Sequence, residues 1–269
     1  MRNSGRTLTI HANLGLPIRS VTPGSVPDTG VRARFYVSRF YRRLRTNVSQ
    51  NSMSQKSEYV DETEIDASLD ELPDGDTIDE TVANLEANGF EVVVADSAEE
   101  ALDTITSHIP ADAAVMNGHS TTLEEIGFIE HLSEGDHEWE SLPDEIYSID
   151  DDAERQAARR ESQTAEYFLG GINAIAQTGE LVAADRSGSR IGAYPFAAGN
   201  VVIVSGVNKI VDDLDAALDR LESVAYPLEN ERAKDAYGVE SAIAKQLIFR
   251  QELEAGRTTV VLVREQLGY

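Results

Sequence analysis

"VVIVSGVNKIV", residues 201–211, is the stretch whose reading decides the fold. Val201 to Val204 are four consecutive β-branched residues, and Ser205-Gly206 closes them off. A short apolar run with no polar alternation, bounded by turn residues, reads as a strand buried on both faces. "DDLDAALDRLESV" (212–224) follows at once with amphipathic helical spacing. Strand then helix is the unit of a parallel sheet, and the same unit recurs outward in both directions.

Toward the N-terminus, "DTIDETVANLEANG" (76–89) sets Ile78, Val82 and Leu85 at helical spacing, with Gly89 as the stop. "FEVVVA" (90–95) reads as a strand, and "SAEEALDTITSHI" (97–109) as a helix opened by a Ser97–Glu100 capping box. "DAAVMN" (112–117) is a second strand and "TTLEEIGFIEHL" (121–132) a further helix. "DDDAERQAARRESQTA" (150–165) is helical and leads into strand "YFLGG" (167–171). A strand pair is expected at 180–185 and 190–194, joined as a hairpin by 186–189. Toward the C-terminus, "VESAIAKQLIFRQEL" (239–253) reads as a helix and "TTVVLV" (258–263) as the last strand. The alternation predicts an α/β fold, a mainly parallel sheet covered on both faces.

Composition narrows the function classes. The chain has 269 residues and a formal net charge of −25. Residues 1–52 hold nine arginines and one acid, Asp28, so the remainder carries 14 basic and 47 acidic residues, a net of −33. Such a surface repels nucleic acid and anionic membranes, which are bound through Lys and Arg. It suits a cytoplasm at molar salt, where the Debye length of about 3 Å screens the self-repulsion. There is no cysteine, so a thiolate-held iron–sulfur cluster or a cysteine nucleophile is ruled out. The five histidines lack the spacing that puts two metal ligands on one helix face, so no metal site is expected. No apolar run reaches the roughly 20 residues of a membrane helix.

The charge reverses abruptly near residue 52. "RARFYVSRFYRRLRTN" (32–47) is Arg-rich and acid-poor, whereas "MSQKSEYVDE" from Met53 begins like an ordinary acidic domain. Residues 1–52 are read as an extension or a mis-assigned start, with targeting or a binding arm as the alternative. Residues 53–269 are read as one α/β domain.

Three loops at predicted strand ends could carry chemistry, since ligands of such sheets bind beyond the carboxyl ends of the strands. In "NGHSTTLEE" (117–125), Asn117, Gly118, His119, Ser120 and Thr121 lead into a helix start that would suit an anion, or would simply be capped. In "SGVNKI" (205–210), Asn208 and Lys209 follow the most apolar strand. Lys209 would hold an anionic substrate, form a Schiff base, or be solvated. In "NAIAQTGELVAADRSGSRIGAYPF" (173–196), the hairpin register sets Asp185 opposite Arg190, a pair of structural value. Asn173, Thr178 and Gly179 flank Glu180 there, a candidate base or nucleophile.

"MNGHSTTLEEIGF" (116–128), "NAIAQTGELVAADRSGSR" (173–190), "VVIVSGVNKIV" (201–211) and "TTVVLVREQLGY" (258–269) together resemble the LUD-domain family of lactate utilization proteins. The resemblance spans residues 57–269 and matches Gly118, Ser120, Glu125, Asn173, Thr178, Gly179, Glu180, Asp185, Arg190, Asn208 and Lys209. It implies a three-layer α/β/α sandwich similar to ribose-5-phosphate isomerase and CoA transferases. It also implies a role in oxidation of L-lactate to pyruvate beside iron–sulfur oxidoreductase subunits. With no cysteine, the chain would be the cluster-free subunit or accessory type, with a small anionic metabolite as ligand. Two alternatives stand beside it: an enzyme acting on a phosphosugar or CoA ester through Glu180, and a non-catalytic small-molecule sensor.

Overall fold

The computed structural model describes residues 59–60, 63–135 and 137–269. The readings made for residues 1–52 lie outside the described residues. Six strands form one sheet: β1 (Glu91–Ala95), β2 (Ala114–Asn117), β3 (Glu140–Ser141), β4 (Tyr167–Gly171), β7 (Asn200–Gly206) and β10 (Thr258–Val263). Their order is β1-β10-β7-β4-β2-β3, and every neighbouring pair is parallel. As its unbroken aliphatic run requires, β7 is central and buried along Val201–Gly206.

Helices α1 (Gly75–Ala87), α2 (Ala98–His108), α3 (Thr121–Glu125), α4 (Phe128–Glu134), α5 (Leu142–Ser148) and α6 (Asp152–Glu161) occupy the first half of the described chain. The Asp74 carboxylate caps α1 by accepting from Thr77 N at 2.8 Å, and Ser97 caps α2 at Glu100 N at 3.2 Å. The helix expected over 121–132 is two helices. Gly127, at φ 80°, ends the first and starts the second, a left-handed conformation that glycine adopts without the Cβ penalty.

One face of the sheet packs Leu169, Val202, Val204 and Val261 against Ala101 and Ile105 of α2, Leu123 of α3 and Phe128 of α4. The opposite face, with Phe168, Val201, Ile203 and Val260, meets Ile78 and Leu85 of α1 and a second, four-stranded sheet. That sheet has the order β8-β5-β6-β9, from β5 (Ala174–Ala176), β6 (Leu181–Asp185), β8 (Ile210–Val211) and β9 (Lys245–Phe249). Its far side is covered by α7 (Leu214–Arg220) and the π-helical turn Leu221–Ala225, which runs on into α8 (Tyr226–Tyr237). The fold is thus α/β with a parallel sheet flanked by helices, with the small sheet inserted on one side.

The small sheet corrects two expectations. Residues 239–253 are not a helix; Lys245–Phe249 is a strand antiparallel to β6, with Asp185 opposite Lys245 and Leu181 opposite Phe249. Phe249 is buried and Leu247 packs on the core, while Ile248 between them is exposed, the period of two that a strand imposes. Nor is 190–194 a strand. Arg190 lies in a turn and Ala193–Ala197 is π-helical, so β6 pairs with β5 on one flank and with β9, not with 190–194, on the other.

No helix among the described residues is long and apolar enough to cross a membrane. From the net charge of −33 after residue 52, stability is expected to depend on salt. Circular dichroism melts should show a large gain between about 0.1 M and about 2 M KCl, as the screening length shrinks. Equal melting temperatures at the two concentrations would refute this.

Candidate functional site

The carboxyl ends of β2, β4 and β7 open into a cavity of about 700 Å³, the size range of small-molecule sites. Asn117, His119, Ser120, Thr121 and Thr122 form one wall, and Gly171, Ile172 and Asn173 after β4 form the floor. Lys209 enters after β7, α6 contributes Arg155 and Arg159, and α8 contributes Tyr226, Glu229, Arg232 and Tyr237. Tyr269 also lines the floor.

Lys209 is 1% exposed and is no solvated strand-end lysine. Its ammonium donates to Thr122 Oγ1 at 3.0 Å, to the Ile172 carbonyl at 3.1 Å and to the main-chain oxygen of Tyr269 at 3.2 Å. Three acceptors match the three donors of an ammonium. Lys209 therefore ties α3, the β4 end and the closing segment together where they line the cavity.

Arg190 is held on several sides in the turn that follows β6. Its Nε meets Asp185 Oδ1 at 3.2 Å, and its own N–H donates to Asp185 Oδ2 at 2.8 Å. Nη1 donates to the Gly171 carbonyl at 2.9 Å, and Nη2 to Asn173 Oδ1 at 3.1 Å and the Ala184 carbonyl at 2.8 Å. The Asp185–Arg190 pair exists, but as a turn closed by a carboxylate, not as a cross-strand pair. Gly118 lies under the arginine stem, and a Cβ there would sit 2.7 Å from Arg190 Cγ; this close approach is why the position carries no side chain. Arg186, by contrast, is exposed at the cavity mouth.

The helix start at 120–122 is capped from within, since Ser120 Oγ accepts from Leu123 N at 3.3 Å. With only five residues in α3, it offers no anion site of its own. What its first turn delivers is side chains: His119 Nδ1 lies 3.3 Å from Glu124 Oε1, and both line the cavity.

Thr178, Gly179 and Glu180 sit elsewhere, at the β5–β6 turn, and none lines the cavity. Glu180 is engaged by Arg250 Nη1 at 2.9 Å and Thr178 Oγ1 at 2.5 Å. Asn208 is buried beneath the site, donating to Asp70 Oδ1 at 2.9 Å and accepting from Leu267 N at 3.0 Å. Glu125 accepts from Gly268 N at 2.6 Å. These residues position the site rather than face it.

Sequence reasoning missed the α8 wall. Arg232 clasps Glu229 through Nε at 2.7 Å and Nη2 at 2.8 Å, and the Tyr269 hydroxyl lies 3.3 Å from the same carboxylate. Burial pushes the Glu229 carboxyl up, but the hydrogen bonds and charge of Arg232, with His119 and Arg190 adding, hold it below the ordinary carboxylate range. Burial drives the Tyr269 hydroxyl well above its ordinary value, so it stays a donor. The only sequence signal was the i, i+3 spacing of Glu229 and Arg232, which puts both on one helix face. Among the described residues, no group of three or more His, Asp or Glu is placed to hold a metal ion.

The LUD domain model matches residues 78–263, the span that builds both sheets and all but the closing edge of the cavity. The chain belongs to the LUD domain family. Among solved structures, a DUF162 family protein from Deinococcus radiodurans is 12% identical, with a TM-score of 0.40 over 72% of this chain and 99% of that one. No curated protein matches the sequence. Within this LUD domain the family-matching motifs divide in two: Asn117, 119–122, Asn173 and Lys209 line the cavity, whereas Gly118, 178–180 and Asn208 do not.

Proposed function

We propose that the cavity binds a small carboxylate and that the protein serves 2-hydroxy-acid metabolism such as lactate utilization, as an anion-binding subunit or accessory protein. One observation carries the reading. Six of the fourteen basic residues after residue 52 line this one cavity: Arg155, Arg159, Arg186, Arg190, Lys209 and Arg232. Among the described residues, four side-chain carboxylates, Glu124, Asp152, Asp185 and Glu229, line it with them. In a chain otherwise so acidic, this is where an anion gains rather than loses by approach. The volume exceeds what a three-carbon acid requires, so larger 2-hydroxy acids fit the same reading. Since the sequence has no cysteine, any thiolate-held iron–sulfur cluster serving an oxidation would sit in a partner chain, which suits iron–sulfur oxidoreductase subunits; the acidic surface suits a cytoplasmic setting at high salt.

Calorimetry on the full chain in about 2 M KCl tests the reading with L-lactate against its uncharged amide. Lactate should bind, and lactamide should bind at least about tenfold more weakly. Arg232→Met should cost lactate about tenfold to a hundredfold, the value of a hydrogen bond to a charged group. Equal affinity for acid and amide, or no binding of either, would sink the proposal.

A further inference from the structure

Two buried polar atoms in the cavity have no hydrogen-bond partner, and they are of opposite kind. Glu124 Oε2, on a side chain 8% exposed, is an acceptor without a donor. Arg232 Nη1, on a side chain 5% exposed, is a donor without an acceptor. Each residue has its other atoms engaged: Glu124 Oε1 with His119 Nδ1 at 3.3 Å, and Arg232 Nε and Nη2 with Glu229. Glu124 stands on α3 and Arg232 on α8, and both residues line the one cavity.

We propose that Glu124 and Arg232 act as a two-point reader, Arg232 taking the ligand's carboxylate and Glu124 accepting a hydrogen bond from its hydroxyl. This rests on the carboxylate reading of the cavity and adds a specificity-determining residue to it. A plain carboxylate fills only the arginine point and leaves a buried carboxylate oxygen unsolvated, which is costly. An oxo acid brings a second acceptor to the same place and meets Glu124 oxygen to oxygen. A hydroxyl supplies the missing donor. An ammonium group would also donate, but the six surrounding basic side chains disfavour a second positive charge. Sites built to bond a hydroxyl discriminate strongly against analogues that lack it, because their own polar groups are then stranded.

The test is a ligand series on the full chain at high salt: L-lactate, propionate, pyruvate and L-alanine, each by calorimetry. Lactate should bind about tenfold or more tightly than propionate and pyruvate, with L-alanine weaker still. In Glu124→Ala, checked for folding by its melting curve, lactate affinity should fall to that of propionate. Should that variant fail to fold, the wild-type series decides alone. Lactate and propionate binding equally would overturn the two-point reader while leaving carboxylate binding intact. L-alanine binding as tightly as lactate would overturn the hydroxyl assignment. No carboxylate binding at all would remove the cavity reading itself, and the reader with it.

Discussion

Replacing Arg220 by leucine is expected to cost about 3–5 kcal/mol of stability, the penalty for stranding one half of a buried ion pair. Arg220 is fully buried, and its Nη2 meets Asp70 Oδ1 at 2.6 Å, while Nη1 bonds the Asn173 carbonyl. Asp70 is 5% exposed and accepts as well from Asn208 at 2.9 Å and from Gln266 at 3.0 Å. One carboxylate therefore joins the segment before α1, the loop after β7, the end of α7 and the segment after β10. With Arg220 gone, Asp70 still accepts from Asn208 and Gln266 but loses the cation paired with it at 2.6 Å. At roughly 2–4 °C per kcal/mol for a domain of this size, the melting temperature should fall by about 10 °C. Urea denaturation at constant high salt measures it. A double replacement of Asp70 and Arg220 by apolar residues should lose less than the sum of the single changes. A single-variant loss under about 1 kcal/mol would show that the pair behaves like an exposed bridge.

The second large effect is at Arg190. The hairpin expected from sequence would have valued its pairing with Asp185 at up to about 1 kcal/mol. The structure gives the guanidinium four acceptors from two segments of chain, 171–173 and 184–185, with its side chain 12% exposed. Burial alone would lower the Arg190 pKa; Tyr194 and Asp185 offset it and leave the charge secure. Arg190→Ala should therefore cost about 3–5 kcal/mol. Arg190→Lys should recover little, because an ammonium cannot reproduce the planar fork. In an Asp185→Ala background the loss should shrink, since Asp185 also accepts from the Arg190 and Ile191 amides and the turn is then already loosened. Strict additivity in that cycle would contradict the coupling.

The strands of the large sheet were legible because burial on both faces favours near-continuous runs dominated by β-branched residues, and 201–204 and 258–263 supply them. The small sheet was not. "KQLIF" lies in a segment rich in Ala, Glu and Lys whose spacing fits a helix, and only the unpaired flank of β6 makes it a strand. Propensity yields to a vacant sheet edge. For the site, Asn173, Lys209 and the 117–122 loop stood out because they follow strands. Glu229 and Arg232 did not, because "LENERAKD" (228–235) reads as any solvated helix face. Their importance arises from what faces them across the cavity, which no local window of sequence contains. Glu180 misled for the same reason: a carboxylate after Thr178-Gly179 looks poised, and only the tertiary fold sets it against Arg250 instead.

The last strand described, β10, is inserted between β1 and β7 near the middle of the large sheet. Its neighbours on one side, Glu91–Ala95, precede it in the chain by well over a hundred residues. During synthesis β1 emerges early and has no parallel partner until Thr258–Val263 arrives to seat it. Assembly of the sheet is therefore a late event governed by long-range pairing, of the kind that slows folding. It leaves a hydrophobic strand edge bare on the nascent chain, where edges invite association.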